Sequence, residues 1–236
     1  MVNGKFKILV YYKYIYRLPF TIYIFRRIYH LPFTIYHFRR IYHLPFPKDL
    51  PFTINMIISL IAAMSENRVI GANERLPWGH LPDDIKNLRR LTAGKKLIMG
   101  RKSYESVDKI LSDAGNIVLS RSKDLILEKG FQYAQNLEEA FSLVSQTTEA
   151  GNNINPKLTT ETEEIFVIGG GEVFKKAIKY ADKIYLTVVH ATFTGDTFFP
   201  EIDEHIFDLA ETIYHPADAL HAFSFSFLTY VRKISV

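Results

Sequence analysis

The pattern of apolar and polar positions changes at Met56. Downstream of it, Ile57–Ala63 (IISLIAA) is a continuous apolar run of strand length, as expected for a strand covered on both faces. Residues 64–81 lose that pattern and read as a loop. From Pro82 to about Thr92 apolar positions recur at helical spacing, and Pro82 suits the first turn, where its missing N–H is not needed. Lys95–Met99 predicts a strand, followed by Gly100 and a short helix, and Asn116–Leu119 predicts another strand. Leu137–Val144 predicts a helix, and the polar, turn-rich residues 145–162 a surface loop. Ile165–Ile168 predicts a strand that runs into Gly169–Gly171 and a helix to Tyr180, and Ile184–Val189 a further strand. Ala222–Tyr230 (AFSFSFLTY) begins with strict alternation, which predicts an antiparallel strand with one wetter face. Strands alternating with helices predict an α/β fold with a mainly parallel sheet.

Upstream of Met56 the pattern is a repeat. Tyr16–Ile28 reads YRLPFTIYIFRRI, Tyr29–Ile41 reads YHLPFTIYHFRRI, and a third copy breaks off after Phe46. Units this short, each with a proline, do not build a solenoid. Arg26/Arg27 and Arg39/Arg40 interrupt any membrane span, and the longest uncharged stretch there, Ile28–Phe38, is far below the roughly 20 apolar residues a span needs. Three readings stay open for residues 1–55: a basic aromatic surface-binding arm, a transit peptide, or translated sequence upstream of a true start at Met56. The abrupt change at Met56 favours the last, and otherwise a disordered extension is expected.

Charge sharpens that boundary. Residues 1–55 hold nine Lys/Arg and one acid, a net charge of +8, while the remainder carries −4, so the overall +4 belongs to the extension. A basic surface as a cue to nucleic acid or membrane therefore applies only to residues 1–55. The chain has no cysteine, which excludes disulfides, thiolate metal sites and a cysteine nucleophile, and fits a reducing cytoplasm. The histidines show no metal-ligand spacing, and no metal is expected.

Three segments carry candidate chemistry. In LPWGHLPDDIKNLRRLT (Leu76–Thr92), Asp84 shares a helix face with Ile85 and Leu88, so one carboxylate lies on an apolar surface suited to a flat, nitrogen-rich heterocycle. Taken alone, an acidic first turn and an ordinary core face explain this segment as well, and for Asp83 they suffice. In KKLIMGRKSYES (Lys95–Ser106), helix N-terminal amides with Arg101 and Lys102 would suit an anion. In FVIGGGEVFKKA (Phe166–Ala177), three glycines after a buried strand would let the backbone approach a ligand. This is not G-x-G-x-x-G, so the dinucleotide fingerprint does not apply.

The order of these segments is more specific than any one of them. ISLIAAMSENRVIGANERLPW, LPDDIKNLRRLT, IMGRKSYES, NIVLSR, IFVIGGGEVF, IYLTVV and GDTFFP together resemble the dihydrofolate reductase family from Met56 to about Arg232. The resemblance implies one domain over 56–236 with a three-layer fold, a central eight-stranded, mainly parallel twisted sheet flanked by helices. It implies reduction of 7,8-dihydrofolate with NADPH, by a cytoplasmic monomer with a small-molecule substrate, no nucleic-acid partner and no membrane span. Asp84 matches the pocket carboxylate that hydrogen-bonds the pterin, Thr187 the threonine that hydrogen-bonds it, and Trp78 the tryptophan near hydride transfer. Ile61, Ile85, Leu88 and Val107 match the apolar substrate walls. Ala63, Ile70, Gly71, Gly100, Arg101, Lys102, Ser103, Leu119, Ser120, Arg121, Ile168, Gly169, Gly170, Gly171, Glu172, Val173, Phe174 and Thr197 match positions around NADPH, with Arg101 and Arg121 the candidates for its 2′-phosphate. Residues 65–79 match a mobile loop over the nicotinamide, and Asp196 lies in the loop that supports it.

The chain also departs from the family. VDKILSDAG (Val107–Gly115) replaces a proline- and arginine-rich stretch, so Ala114 falls where an arginine would grip the substrate's glutamate tail, and Lys109 keeps one positive charge. Leu88 replaces a common aromatic, and His80 is an extra loop residue. Ala114 keeps open an alternative, a reductase of another pteridine or pyrimidine on the same fold. A binding protein with a degenerate site is disfavoured by the intact Asp84, Trp78 and triple glycine.

Overall fold

The computed structural model describes residues 56–106, 112–122, 125–150, with side chains to 144, and 163–233. The repeat, Val107, Lys109 and most of the predicted 145–162 loop lie outside these residues. The described chain runs β1 (Met56–Ser65), β2 (Val69–Gly71), α1 (Pro82–Thr92), β3 (Leu97–Gly100), α2 (Arg101–Glu105), β4 (Asn116–Leu119), β5 (Phe131–Ala134), α3 (Leu137–Ala150), β6 (Glu163–Val167) and α4 (Gly171–Ala177). A 3-10 turn (Ile178–Tyr180), β7 (Lys183–Val189), β8 (Thr197–Phe198), β9 (Phe207–His215) and β10 (Phe225–Arg232) follow.

Eight strands form one sheet in the order β5-β4-β3-β6-β1-β7-β10-β9. All neighbours from β5 to β7 are parallel, and β10 pairs antiparallel with both β7 and β9. β2 and β8 make a separate antiparallel pair. The continuous apolar runs follow from this architecture, because alternate residues of the inner strands face different layers. Leu60, Ile98, Ile165 and Val167 pack with Leu137, Ala140 and Val144 of α3 and Phe174 of α4. Ile61, Leu97, Met99 and Phe166 pack on the other side with Leu88 and Leu91 of α1 and Tyr104 of α2. Leu60, Leu97, Ile98 and Ile165 are fully buried, each worth about 1.5–3 kcal/mol relative to exposure.

Four predicted features are corrected. Helix α3 runs to Ala150, into the segment read as a loop. Residues 64–81 are not all loop, because β1 reaches Ser65 and Val69–Gly71 pairs with β8. The last strand starts at Phe225, not Ala222. Its polar positions do not form a wet face: Ser226 is buried, and its hydroxyl meets His190 Nε2 at 2.9 Å. Four strands carried no sequence expectation. β2 and β8 are two to three residues long, β5 is short and half-exposed, and β9 is an edge strand exposed along most of its length.

Candidate active site

The C-terminal ends of β1, β3, β4, β6 and β7 share one edge of the sheet, where open α/β folds form their ligand crevices. Helix α1 follows β2 and packs Leu88 and Leu91 on the layer that holds Ile61 of β1. Its first turn carries Asp84, and β7 brings Thr187 opposite. The Thr187 hydroxyl donates to Asp84 Oδ1 at 2.5 Å. Asp84 keeps some exposure as a residue, yet its carboxylate is closely surrounded by protein. Burial pushes its pKa above the ordinary carboxylate value, against the lowering effect of the Thr187 bond.

Around this pair the walls are apolar. Ile61 and Leu88 join the layer beneath α1, Ile85 is half-exposed one residue after Asp84, and Ala63 packs on Trp78. Trp78 is buried with Leu81, Val189 and Phe225, and Phe193 meets its ring edge-on at 6.0 Å. Its indole Nε1–H is buried without a hydrogen-bond partner among the described residues.

The other half of the crevice is built from glycine backbone. Gly100 N–H donates to Gly169 O at 2.7 Å, locking the end of β3 onto the turn that follows β6. Gly169 has φ +118°, which side chains rarely tolerate, and a Cβ there would lie 3.2 Å from the Phe174 ring. A Cβ on Gly170 would meet nothing closer than Ser103 Oγ at 3.6 Å, so this turn presents open backbone. Gly171 lies against β8, where a Cβ would be 2.7 Å from Thr197 Cγ2 and 3.8 Å from Ile70 Cδ1. Ile168 N–H donates to Ile98 O, and Val173 packs at the end of β3, its Cγ2 3.0 Å from a Cβ on Gly100. Two members of this group turn away: the Phe174 ring sits in the core 4.9 Å from Phe199, and Glu172 pairs at the surface with Lys175.

Beyond the glycines, Arg101, Glu105, Ser120, Arg121, Ser122 and Leu125 line a cleft of about 360 Å³. Leu119 ends β4 at its edge. Arg101 is held by Glu105 at 3.0 Å, whereas Arg121 is exposed with no ion pair among the described residues. Lys102 reaches outward to Glu74 at 3.4 Å. An open glycine floor ending in two guanidinium groups fits a long ligand with a phosphate at that end.

The loop after β1 is tied down by Asp196, whose Oδ2 accepts the Asn73 N–H at 3.0 Å. The hydroxyl of Thr197, first, and this N–H hold the Asp196 pKa below its ordinary value. Gly195 permits the approach, since a Cβ there would lie 2.2 Å from Val69 Cγ1 and 2.6 Å from Gly71 O. Asn73 was not singled out in the sequence, and neither was His221, a buried imidazole touching the start of α1. The Asp218–His221 spacing in a loop was the one available signal for the latter.

A family profile described as dihydrofolate reductase matches residues 57–232. The dihydrofolate reductase of Haemophilus influenzae is 37% identical over 178 residues, 75% of this chain and 100% of that protein. The type 3 dihydrofolate reductase of Salmonella typhimurium is 35% identical over 178 residues, 75% of this chain and 99% of that protein. Among solved structures, dihydrofolate reductase from Enterococcus faecalis complexed with NADP(H) and RAB-propyl matches with a TM-score of 0.63 and 30% identity, over 75% of this chain and 96% of that one.

Proposed function

The chain belongs to the dihydrofolate reductase family, and from that premise we infer how its own residues serve the reduction of dihydrofolate by NADPH. Bound NADPH supplies the hydride that goes to C6 of the pterin ring, while N5 takes a proton, giving tetrahydrofolate. The open backbone at Gly169–Gly171, with Arg121 and Arg101 at the far end, would hold this cofactor.

The observation that carries the reading is the Asp84–Thr187 pair. Thr187 donates to Oδ1, which orients the carboxylate so that its two oxygens can accept the pterin's N3–H and 2-amino N–H. Ile61, Ile85 and Leu88 clamp the ring's faces, and the contacts with Asp84 fix its rotation. Among the described residues no acid other than Asp84 is assigned to the pocket, so the proton for N5 is read as coming from water, and the buried Trp78 Nε1–H is a donor available to orient it. The protein contributes alignment, exclusion of bulk water and one fixed negative charge.

The reading is of a monomer acting on a small molecule without nucleic acid. A cytoplasmic location is part of this reading, supported by the absence of cysteine. Residues 1–55 are read as taking no part in the chemistry, which a family match beginning at residue 57 supports. The test is NADPH oxidation by the full chain with dihydrofolate, followed by absorbance. Turnover that depends on both Asp84 and Trp78 is expected, and full turnover by Asp84→Asn would remove the carboxylate from this role.

A further inference from the structure

Helix α1 begins without a cap of its own. Its N-cap residue is Leu81, which has no side-chain acceptor, and Pro82 follows. The first N–H that needs a partner is therefore that of Asp83, one residue before the site carboxylate. That N–H points at His221 Nε2, 3.4 Å away and 138 residues later in the chain. His221 lies in the loop between β9 and β10 and is 3% exposed.

The imidazole is itself held from behind. Its Nδ1–H donates to Asp218 Oδ1 at 2.8 Å, which leaves the Nε2 lone pair to accept from Asp83. Asp218 Oδ1 also accepts the N–H groups of Leu220 and His221, at 2.8 and 2.9 Å. Backbone bonds close the same turn in both directions between Asp218 and His221. The ring rests on Phe225 at 5.2 Å, and Phe225 belongs to the buried group that contains Trp78 and Leu81. The groups facing the imidazole are Asp83, with Oδ2 3.8 Å from Nε2, Asp218 and the Phe225 ring.

We propose that His221 is a positioning residue for the reaction: a cap supplied by a distant loop, which fixes the first turn of α1 so that Asp84 meets Thr187. The inference rests on the reading of Asp84 as the substrate-binding carboxylate. Thr187 holds the end of that side chain from β7, and His221 holds the backbone beside it from the entry to β10. Thr187 lies on β7 and His221 in the loop that leads into β10, the hydrogen-bonded neighbour of β7, so the carboxylate is set against one frame.

The experiment compares His221→Ala and His221→Gln in the full chain. Glutamine places a neutral acceptor near the Nε2 position, and alanine places none. In His221→Ala, kcat/KM for dihydrofolate falls about three- to tenfold, the size of one lost neutral hydrogen bond, mainly through KM. NADPH affinity stays unchanged, because the start of α1 is not part of the glycine floor. Carbon-13 NMR of the Asp84 carboxylate supplies a second readout. Loosening the Thr187 contact removes a lowering influence, so the Asp84 titration midpoint moves up in His221→Ala. His221→Gln restores both KM and midpoint. If glutamine behaves like alanine, the imidazole acts through charge rather than as a cap, and the proposal fails. It fails equally if His221→Ala lowers only thermal stability and leaves KM and the Asp84 midpoint in place. Full turnover by Asp84→Asn would instead sink the functional reading on which the proposal rests.

Discussion

The hydroxyl of Thr187 and the carboxylate of Asp84 meet at 2.5 Å although 103 residues separate them in the chain. Asp84→Asn keeps the volume and the acceptor for Thr187 but removes the charge. Charge-assisted hydrogen bonds are worth about 1.5–3 kcal/mol each, so losing the charge beneath two substrate N–H groups should lower kcat/KM by about 100-fold or more.

The same substitution should raise stability. Burial raises the Asp84 pKa in the folded state above the ordinary value of 3.8, so the folded protein keeps a proton that the unfolded chain has already lost. Stability is therefore fully present below the ordinary value and declines as pH rises through the folded one. Asparagine is neutral throughout. Denaturant unfolding at about pH 7 should show Asp84→Asn more stable than the parent, with the gain vanishing towards about pH 3.5. An unchanged midpoint at neutral pH would contradict the burial argument.

The two arginines at the far cleft should not contribute equally to cofactor choice. Arg101 is engaged by Glu105, while Arg121 makes no ion pair among the described residues. Arg121→Ala should reduce the preference for NADPH over NADH about 10-fold or more, as expected for one guanidinium–phosphate contact, and Arg101→Ala should reduce it less. Paired measurements of kcat/KM with both cofactors would show the order.

Ala114 sits at the surface in a turn closed by Ser112 and Asn116, and its N–H donates to Ser112 Oγ at 3.1 Å. It offers no donor to a carboxylate, and a lysine–carboxylate pair in water contributes only about 0–1 kcal/mol. Ala114→Arg should lower KM for dihydrofolate about three- to tenfold and leave a dihydropterin without a glutamate tail unaffected. Equal improvement with both substrates would point to folding rather than to tail binding.

Tyr185 lies beneath α1, its hydroxyl 3.4 Å from Glu164 Oε1, and burial, then the Glu164 charge, push its pKa up to about 12 from 10.0. The unfolded chain ionises first, so stability falls as pH rises from about 10 towards 12. Tyr185→Phe should flatten that alkaline decline, while losing about 0.5–1.5 kcal/mol near neutrality with the hydrogen bond. The flattening should be partial, because burial also raises Tyr230. Melting temperatures of the two proteins across the alkaline range would test it.

What the sequence revealed was whatever both layers of the fold impose at once. Helix α1 and strand β4 fall on their predicted residues because apolar spacing and buried runs leave few alternatives. The exposed β9 and the two-residue β8 are held by backbone bonds to neighbours, which leave little mark on composition. Asp84 and Thr187 could be paired through a family resemblance. The Asn73–Asp196 bond and the reach of His221 to Asp83 could not, since each depends on how a loop turns back.

Strand β1 begins the described chain yet lies in the middle of the sheet, and its partners β6 and β7 follow more than a hundred residues later. During synthesis, this apolar strand must wait unpaired while most of the protein is still being made. Neither neighbour can shield it before being made itself. Folding is thus dominated by distant contacts, which slows it and leaves a sticky segment exposed to other nascent chains. Yield in cells should accordingly respond to chaperone supply and growth temperature more than the stability of the finished fold would suggest.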